Sequence, residues 1–278
     1  MSTAIFGLIL LAATCHATWN AIVKASTNKF LTTVLVTASA AVLAALLLPF
    51  FPIPQRESWP YILASTAIQI LYFGMVAKIY RVADMGLTYP LMRGTAPLIV
   101  AVLGTLLLHE QLQFNAWLGI ITISIGILSM ILAAPKTGRK GIGLALLNAV
   151  LIAGYTLLDG HGVRLAGSAI AYILWSFVLS GLIFFIFALK MQYRQMGEYF
   201  RNNWHIGLIG GIGSFFSYGL ALWAMTLAPV AIVAALRETS ILFATLISIF
   251  ILKERINAVR IISSCIIFLI GALILRTA

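Results

Sequence analysis

The sequence predicts an all-α integral membrane protein, with ten transmembrane helices in two inverted five-helix repeats. Three observations lead there. Of the 278 residues, 62% are hydrophobic and 9% charged, against about 45–50% and about 25% in soluble domains. The apolar residues gather in runs of roughly 20, the length that spans a hydrocarbon layer about 30 Å thick. A pattern of rare polar letters in one run returns 144 residues later.

The runs fall between charged or proline-marked breaks. The first covers 4–23, and Met1 to Thr18 reads as a retained helix: no basic residue precedes the apolar stretch, and Cys15 lacks a Leu-small-Gly/Ala pattern before it. Runs 31–51 and 59–80 stand either side of Arg56; run 87–108 carries Pro90 and Pro97; runs 114–132 and 141–158 flank Lys136, Arg139 and Lys140. Runs 169–189 and 204–224 are joined by the longest linker, the 14 residues from Lys190 to Asn203, and runs 230–252 and 259–275 complete the set. No linker is long enough for an extramembrane domain, and no GxxxxGK[ST] stretch occurs, so ATP-driven transport by this chain alone is not expected. Cys15 and Cys265 lie in apolar runs without framework spacing, giving neither a disulfide nor a metal set.

Laying residues 77–119 over 221–263 brings LMRGTAPLIVAVLGTLLLHEQ onto ALRETSILFATLISIFILKER. Arg93 then meets Arg237, Thr95 meets Thr239, Leu98 meets Leu242, Leu108 meets Leu252 and Glu110 meets Glu254. At an offset of 136, Trp19 faces Tyr155 and Asn20 faces Thr156. The expected units are residues 1–135 and 136–278. Because each holds five helices, the second enters the membrane from the opposite side, and inverted repeats of this kind bind substrate near the midplane between the halves.

The chain resembles the drug/metabolite transporter superfamily, of the EamA-like kind with ten helices in two repeats. The residues carrying the resemblance are Leu107-Leu108-His109-Glu110 and Ile251-Leu252-Lys253-Glu254, the glycine stretches at Gly126 and Gly271, and Trp19-Asn20 near the end of the first helix. The resemblance implies a secondary transporter, often an exporter of amino acids or related metabolites.

Net charge is +11. Sorted by side, Lys24, Lys29, Lys78, Arg81, Lys136, Arg139, Lys140, Lys190, Arg194, Arg201, Lys253, Arg255 and Arg260 share one face, and Arg56, Arg164 and Arg276 share the other. The positive-inside rule puts the richer face in the cytoplasm and both termini outside. The resemblance implies both termini in the cytoplasm, so the two arguments oppose each other. Either way the charge reports topology rather than nucleic-acid binding.

Arg93 and Arg237 remain inside the membrane, seventh and eighth in their runs and about 9–11 Å from the apolar boundary. A guanidinium there costs about 2.5–3.5 kcal/mol on insertion scales, so it is expected to be paired or to face a cavity. One reading has both arginines line a central cavity and bind a carboxylate or phosphonate-type anion. The other has Arg237 neutralised by Glu238 or another buried acid and Arg93 snorkelling to its nearer face. Glu238, read as the one acid well inside an apolar run, is a candidate for proton coupling or a static partner of Arg93 or Arg237. His16 is a second proton candidate, sharing a face with Asn20 at i, i+4 beside Trp19. Trp19, Tyr72, Tyr89, Tyr155, Tyr218 and Trp223 are candidates for aromatic walls, and Tyr89, Arg93 and Pro97 share one stripe. Glu110 and Glu254 are expected to cap the helix that follows each of them. Gly207, Gly210, Gly211 and Gly213 offer a face for close helix approach.

A membrane enzyme is the main alternative class. It would need a nucleophile with a base, a metal set or paired acids; Asp84 and Asp159 read as near helix ends, and Gln113 stands where an HExxH motif would need histidine. The expected function is therefore secondary transport, by preference export, of a small anionic or zwitterionic, amino-acid-like metabolite. Import of an organic anion or phosphonate is the alternative. Expected partners are the bilayer and a small-molecule substrate, with a homodimer left open and no nucleic acid. No cofactor or metal is expected. Absence of an N-x-[ST] acceptor and of a transit-type leader suits a bacterial inner membrane.

Overall fold

A computed structural model describes residues 1–83, 85–133, 141–250 and 258–278, and among them there is no strand. The helices are α1 (Thr3–Ala25), α2 (Lys29–Leu47), α3 (Trp59–Val82), α4 (Met85–Leu107), α5 (Phe114–Ser129), α6 (Ile142–Leu165), α7 (Ala169–Met225), α8 (Val230–Arg237), α9 (Ser240–Phe250) and α10 (Ala258–Arg276). Local chemistry sets several of their starts: the side chains of Ser2, Asn28 and Ser168 accept from the amides of Ile5, Leu31 and Ala171, satisfying donors that the first helical turn leaves orphaned.

Among the described residues, eight stretches are long and apolar enough to cross a membrane. The outside of the bundle is apolar too, with Phe114, Phe50, Leu132, Leu46 and Leu106 all more than 60% exposed. In water such a surface would drive aggregation, whereas hydrocarbon solvates it at no cost. Hydroxyls on the helices turn inward to their own backbone: Thr14, Thr33, Thr105, Thr122, Thr156 and Ser176 each donate to the carbonyl four residues earlier. That satisfies the hydroxyl where water is absent. The chain is an integral, multi-pass membrane protein.

Three boundaries differ from the sequence expectation. The expected linker 190–203 is largely helical, and α7 comprises separate helices joined through kinks with non-helical backbone at Gln192 (φ −142°, ψ 32°) and Asn203 (φ −122°, ψ 15°), at the two ends of that linker. Gly181 and Gly207, on either side of these kinks, both abut α2, at Ala41 and Leu35, so α7 folds back and supplies two crossings. The expected helix 230–252 is broken into α8 and α9 at Glu238 and Thr239, where the amides of Glu238, Thr239 and Ile241 bond three residues back instead of four. The sixth helix runs on to Leu165 instead of ending at 158, so Asp159 is an interior residue of α6.

Two repeats are visible in the packing. α1 lies on α7 and α9, and α6 lies correspondingly on α3 and α4, while α5 meets α10 and α4 meets α8 across the middle. The same set of neighbours results when the two halves are exchanged. Small residues permit the closest approaches. A Cβ on Gly211 would meet Ser39 Cβ at 2.6 Å and the Ala40 amide nitrogen at 3.0 Å, and Gly207 and Gly210 abut Leu35 and Val36, all between α7 and α2. Gly119 and Gly271 make the equivalent approach between α5 and α10. The Met1 ammonium donates to the Ala278 carbonyl oxygen, so both termini meet at one end of the bundle.

Candidate functional site

A cavity of about 180 Å³ lies between the two halves. α1 contributes His16, Trp19 and Asn20; α2 contributes Thr33 and Thr37; α3 contributes Gln69, Tyr72 and Phe73; α4 contributes Tyr89 and Arg93; α6 contributes Tyr155. α7 supplies Ser176, Phe177, Ser180, Phe184, Ser214, Ser217 and Tyr218, and α8 ends in it with Arg237. Arg93, Arg237, Trp19, Asn20, Tyr89, Tyr155, Tyr218 and His16, singled out from sequence as polar or aromatic letters in apolar runs, thus border one space. Trp223 does not, being 48% exposed on the outer surface.

Arg93 is buried at 7% exposure, and its Nε donates to Glu238 Oε2 at 2.8 Å. The bond joins α4 of the first repeat to the break between α8 and α9 in the second. Of the two static partners that the sequence offers Glu238, Arg93 is the one it meets: Arg93 does not snorkel, and Glu238 pairs with it rather than with its chain neighbour Arg237. Backbone chemistry loosens both helices here. Pro97 has no amide to offer the Arg93 carbonyl, and the α8–α9 break tightens the turn at Glu238. In the 144-residue register Glu238 corresponds to Gly94, which packs on Leu128 and leaves no space for a side chain. The two repeats therefore carry two arginines but one carboxylate at this level.

Arg237 is left over. Its guanidinium carbon stands 5.1 Å above the centroid of the Tyr218 ring, and among the described residues it makes no ion pair. A desolvated cation facing a ring quadrupole gains about 2 kcal/mol or more, but the ring carries no net charge, so the guanidinium stays open to an anion. Aromatic rings surround it: Tyr72 meets Tyr155 edge-on at 5.9 Å, and Phe177 meets Tyr218 at 6.3 Å. On α1, His16 Nδ1 is 3.2 Å from Ser217 Oγ and its ring meets Trp19 edge-on at 5.4 Å, while the Asn20 amide donates to the His16 carbonyl at 2.8 Å.

Asp159 is the functional-type residue that sequence reasoning set aside. It is fully buried, its Oδ1 accepts from the Tyr172 hydroxyl at 2.8 Å, and its Oδ2 accepts from the Tyr218 hydroxyl and from Gln69 Nε2 at 3.4 Å. Its signal is the i, i+4 spacing from Tyr155, which an expected helix end at 158, seven residues short of Leu165, hides.

Beyond Asp159 the end of the bundle that carries the termini is tightly closed. Glu110 Oε1 accepts from Arg164 Nη2 at 2.8 Å and from the Val230 amide at 2.9 Å. Arg164 also donates from Nε to the Met225 carbonyl and from Nη2 to the Ala228 carbonyl. Glu110 thus caps α8, 120 residues away, rather than α5, the helix that follows it, because the loop after α4 turns back across the end of the bundle. Glu254 lies outside the described residues. Trp59 and Trp175, and Tyr61 and His161, stack edge-on at 5.0 Å in the same layer. At the opposite end the cavity extends to Thr33, Thr37 and Phe184, toward the start of α2.

Two consecutive stretches, residues 3–132 and 139–276, match a family model described as the EamA-like transporter family. A solved structure described only as the crystal structure of a protein superposes with a TM-score of 0.73 at 18% sequence identity, over 98% of this chain and 96% of that one. That likeness is one of fold. No curated protein matches the chain.

Proposed function

We propose, for a chain that belongs to the EamA-like transporter family, that it is a secondary transporter of a small anionic or zwitterionic metabolite, amino-acid-like by preference. The observation that carries this reading is the unneutralised Arg237 in an aromatic cavity between the repeats. A carboxylate or phosphonate suits a guanidinium through paired N–H donors, and the tyrosine and tryptophan rings suit the apolar body or the ammonium of an amino acid. The closed end at Glu110 and Arg164, against a cavity reaching toward the other end, supports alternating access between two halves. Export follows the family resemblance alone, and a bacterial inner membrane suits a sequence without an N-x-[ST] acceptor. The freed charge on Arg237 equally supports movement of a simple organic anion or phosphonate.

The test is flux in proteoliposomes holding the purified full chain, with radiolabelled leucine, glutamate, succinate and phosphonoacetate as probes. Counterflow of at least one carboxylate or phosphonate is expected, and it should vanish in Arg237→Ala. Equal counterflow in wild type and Arg237→Ala would overturn the assignment of Arg237.

A further inference from the structure

We propose that Asp159 is the proton-carrying residue of the transport cycle, and that its proton travels in the same direction as the anion held at Arg237. The inference rests on the transport reading above and adds its coupling.

Asp159 sits six residues before the end of α6, between the cavity and the closed end. On the closed side α3, α6 and α7 pack closely: a Cβ on Gly162 would meet Tyr61 Cβ at 2.5 Å and the Tyr172 ring and hydroxyl at 2.8 Å. On the cavity side two of its three partners, Tyr218 and Gln69, themselves line the cavity. A carboxylate so placed can meet the open face through Tyr218 and Gln69, and would meet the other face once the layer of Tyr61 and Tyr172 parts.

The groups around it are known from every packed element. α3 brings Ser65 and Gln69, which bond to each other at 3.0 Å; α7 brings the Tyr172 and Tyr218 hydroxyls; α8 brings Arg237, over the face of the Tyr218 ring. α4 brings Tyr89 and Arg93 to the same cavity, but Arg93 is held by Glu238. On α6 itself Tyr155 lies one turn away, His161 packs on Tyr61 and Arg164 is held by Glu110, and the turn 56–58, which packs on α6, carries Arg56 and Glu57. Every direct partner of Asp159 is thus a neutral donor, and the cation nearest in the chain of contacts is the one the substrate needs.

Ionised Asp159 therefore competes with a substrate anion for the field of Arg237. Protonation of its carboxylate removes that competition, and linkage makes the effect mutual: the bound anion favours the proton, and the proton favours the anion. Each cycle then takes one proton from water onto an Asp159 oxygen at the open face, with one anion on Arg237. After the opposite end opens, the same oxygen returns the proton to water and the anion leaves. The transfer is electroneutral for a monoanion, and either gradient can drive it. Glu238 takes no part, because its charge is already matched by Arg93.

The experiment uses the full chain in proteoliposomes with an entrapped pH-sensitive dye, and an inward gradient of glutamate, succinate or phosphonoacetate. In wild type, substrate entry should acidify the lumen. Asp159→Asn should lose the acidification, so that whatever substrate still crosses does so without a proton. Tyr218→Phe keeps the ring under Arg237 and removes the hydroxyl on Asp159; it should lower the protons moved per anion, and it carries the test if Asp159→Asn does not fold. Acidification in Asp159→Asn in proportion to substrate, or alkalinisation as substrate enters wild-type vesicles, would overturn the inference and leave transport standing. Absence of flux in wild type for every probe would remove the transport reading and this inference with it.

Discussion

Arg93 Nε stands 2.8 Å from Glu238 Oε2, and this one bond joins the fourth helix of the first repeat to the broken helix of the second. Both groups are buried, so the pair is a place where removing either partner strands the other. Breaking a buried pair costs about 3–5 kcal/mol, much of it the uncompensated charge. Glu238→Gln and Arg93→Ala should each lower the thermal midpoint in detergent strongly, and the double variant Arg93→Met/Glu238→Met should recover much of the loss. Simple additivity in this cycle would mean that the two residues do not act as a pair.

Arg237 should behave differently because no acid among the described residues neutralises it. Its replacement by alanine removes a binding group without stranding a carboxylate, so folded yield should stay near wild type. Loss of a charge-assisted contact of about 1.5–3 kcal/mol corresponds to roughly 10–150-fold in affinity. Arg237→Lys should retain part of it, since an ammonium keeps the charge but not the paired donors. Affinities from thermal-shift titration with carboxylates and phosphonates would check both; a large loss of yield in Arg237→Ala would show a structural role instead.

The glycines divide into two groups with opposite predicted outcomes. Gly211→Val forces a side chain against the Ala40 backbone and the Ser39 Cβ, neither of which can swing aside, so α7 and α2 must part. Gly7→Ala and Gly74→Ala meet nothing within 4 Å and sit in helices, where the exchange stabilises by about 0.5–1 kcal/mol. Fluorescence-detected size-exclusion profiles after heating should show Gly211→Val aggregated or unfolded at lower temperature and the two alanine variants unchanged or improved. Tolerance of Gly211→Val would contradict the close packing of α2 on α7.

The division between what the sequence reveals and what it hides follows from how membrane chains are written. Polar letters such as Arg93, Arg237, His16 and Asn20 are conspicuous in apolar runs, and hydrocarbon forces them inward, so their place on one cavity was legible. Pairing was not, because the choice of Arg93 over Arg237 by Glu238 depends on a helix break that no residue type marks: the break at Glu238–Thr239 contains neither glycine nor proline. Asp159 was missed for the opposite reason. Asp159, Gly160, His161 and Gly162 look like the end of a helix, and only burial against Tyr172 and Tyr218 shows that α6 continues through them.

Glu110 and Arg164 should act as the latch of the closed end. Arg164 gathers the Met225 and Ala228 carbonyls, left open where α7 ends, and Glu110 gathers the Val230 amide, left open where α8 begins; their own ion pair at 2.8 Å fastens one to the other. The Arg164 side chain is 33% exposed, so its attraction to Glu110 is screened, whereas the Glu110 side chain at 5% is not. Glu110→Gln weakens the ion pair but keeps an oxygen for the Val230 amide, and Glu110→Ala removes both. Hydrogen–deuterium exchange over 226–233 should therefore rise modestly in Glu110→Gln and strongly in Glu110→Ala, together with faster opening of the end that carries the termini. Unchanged exchange at the start of α8 in Glu110→Ala would show that α7 and α8 hold this end shut by packing alone.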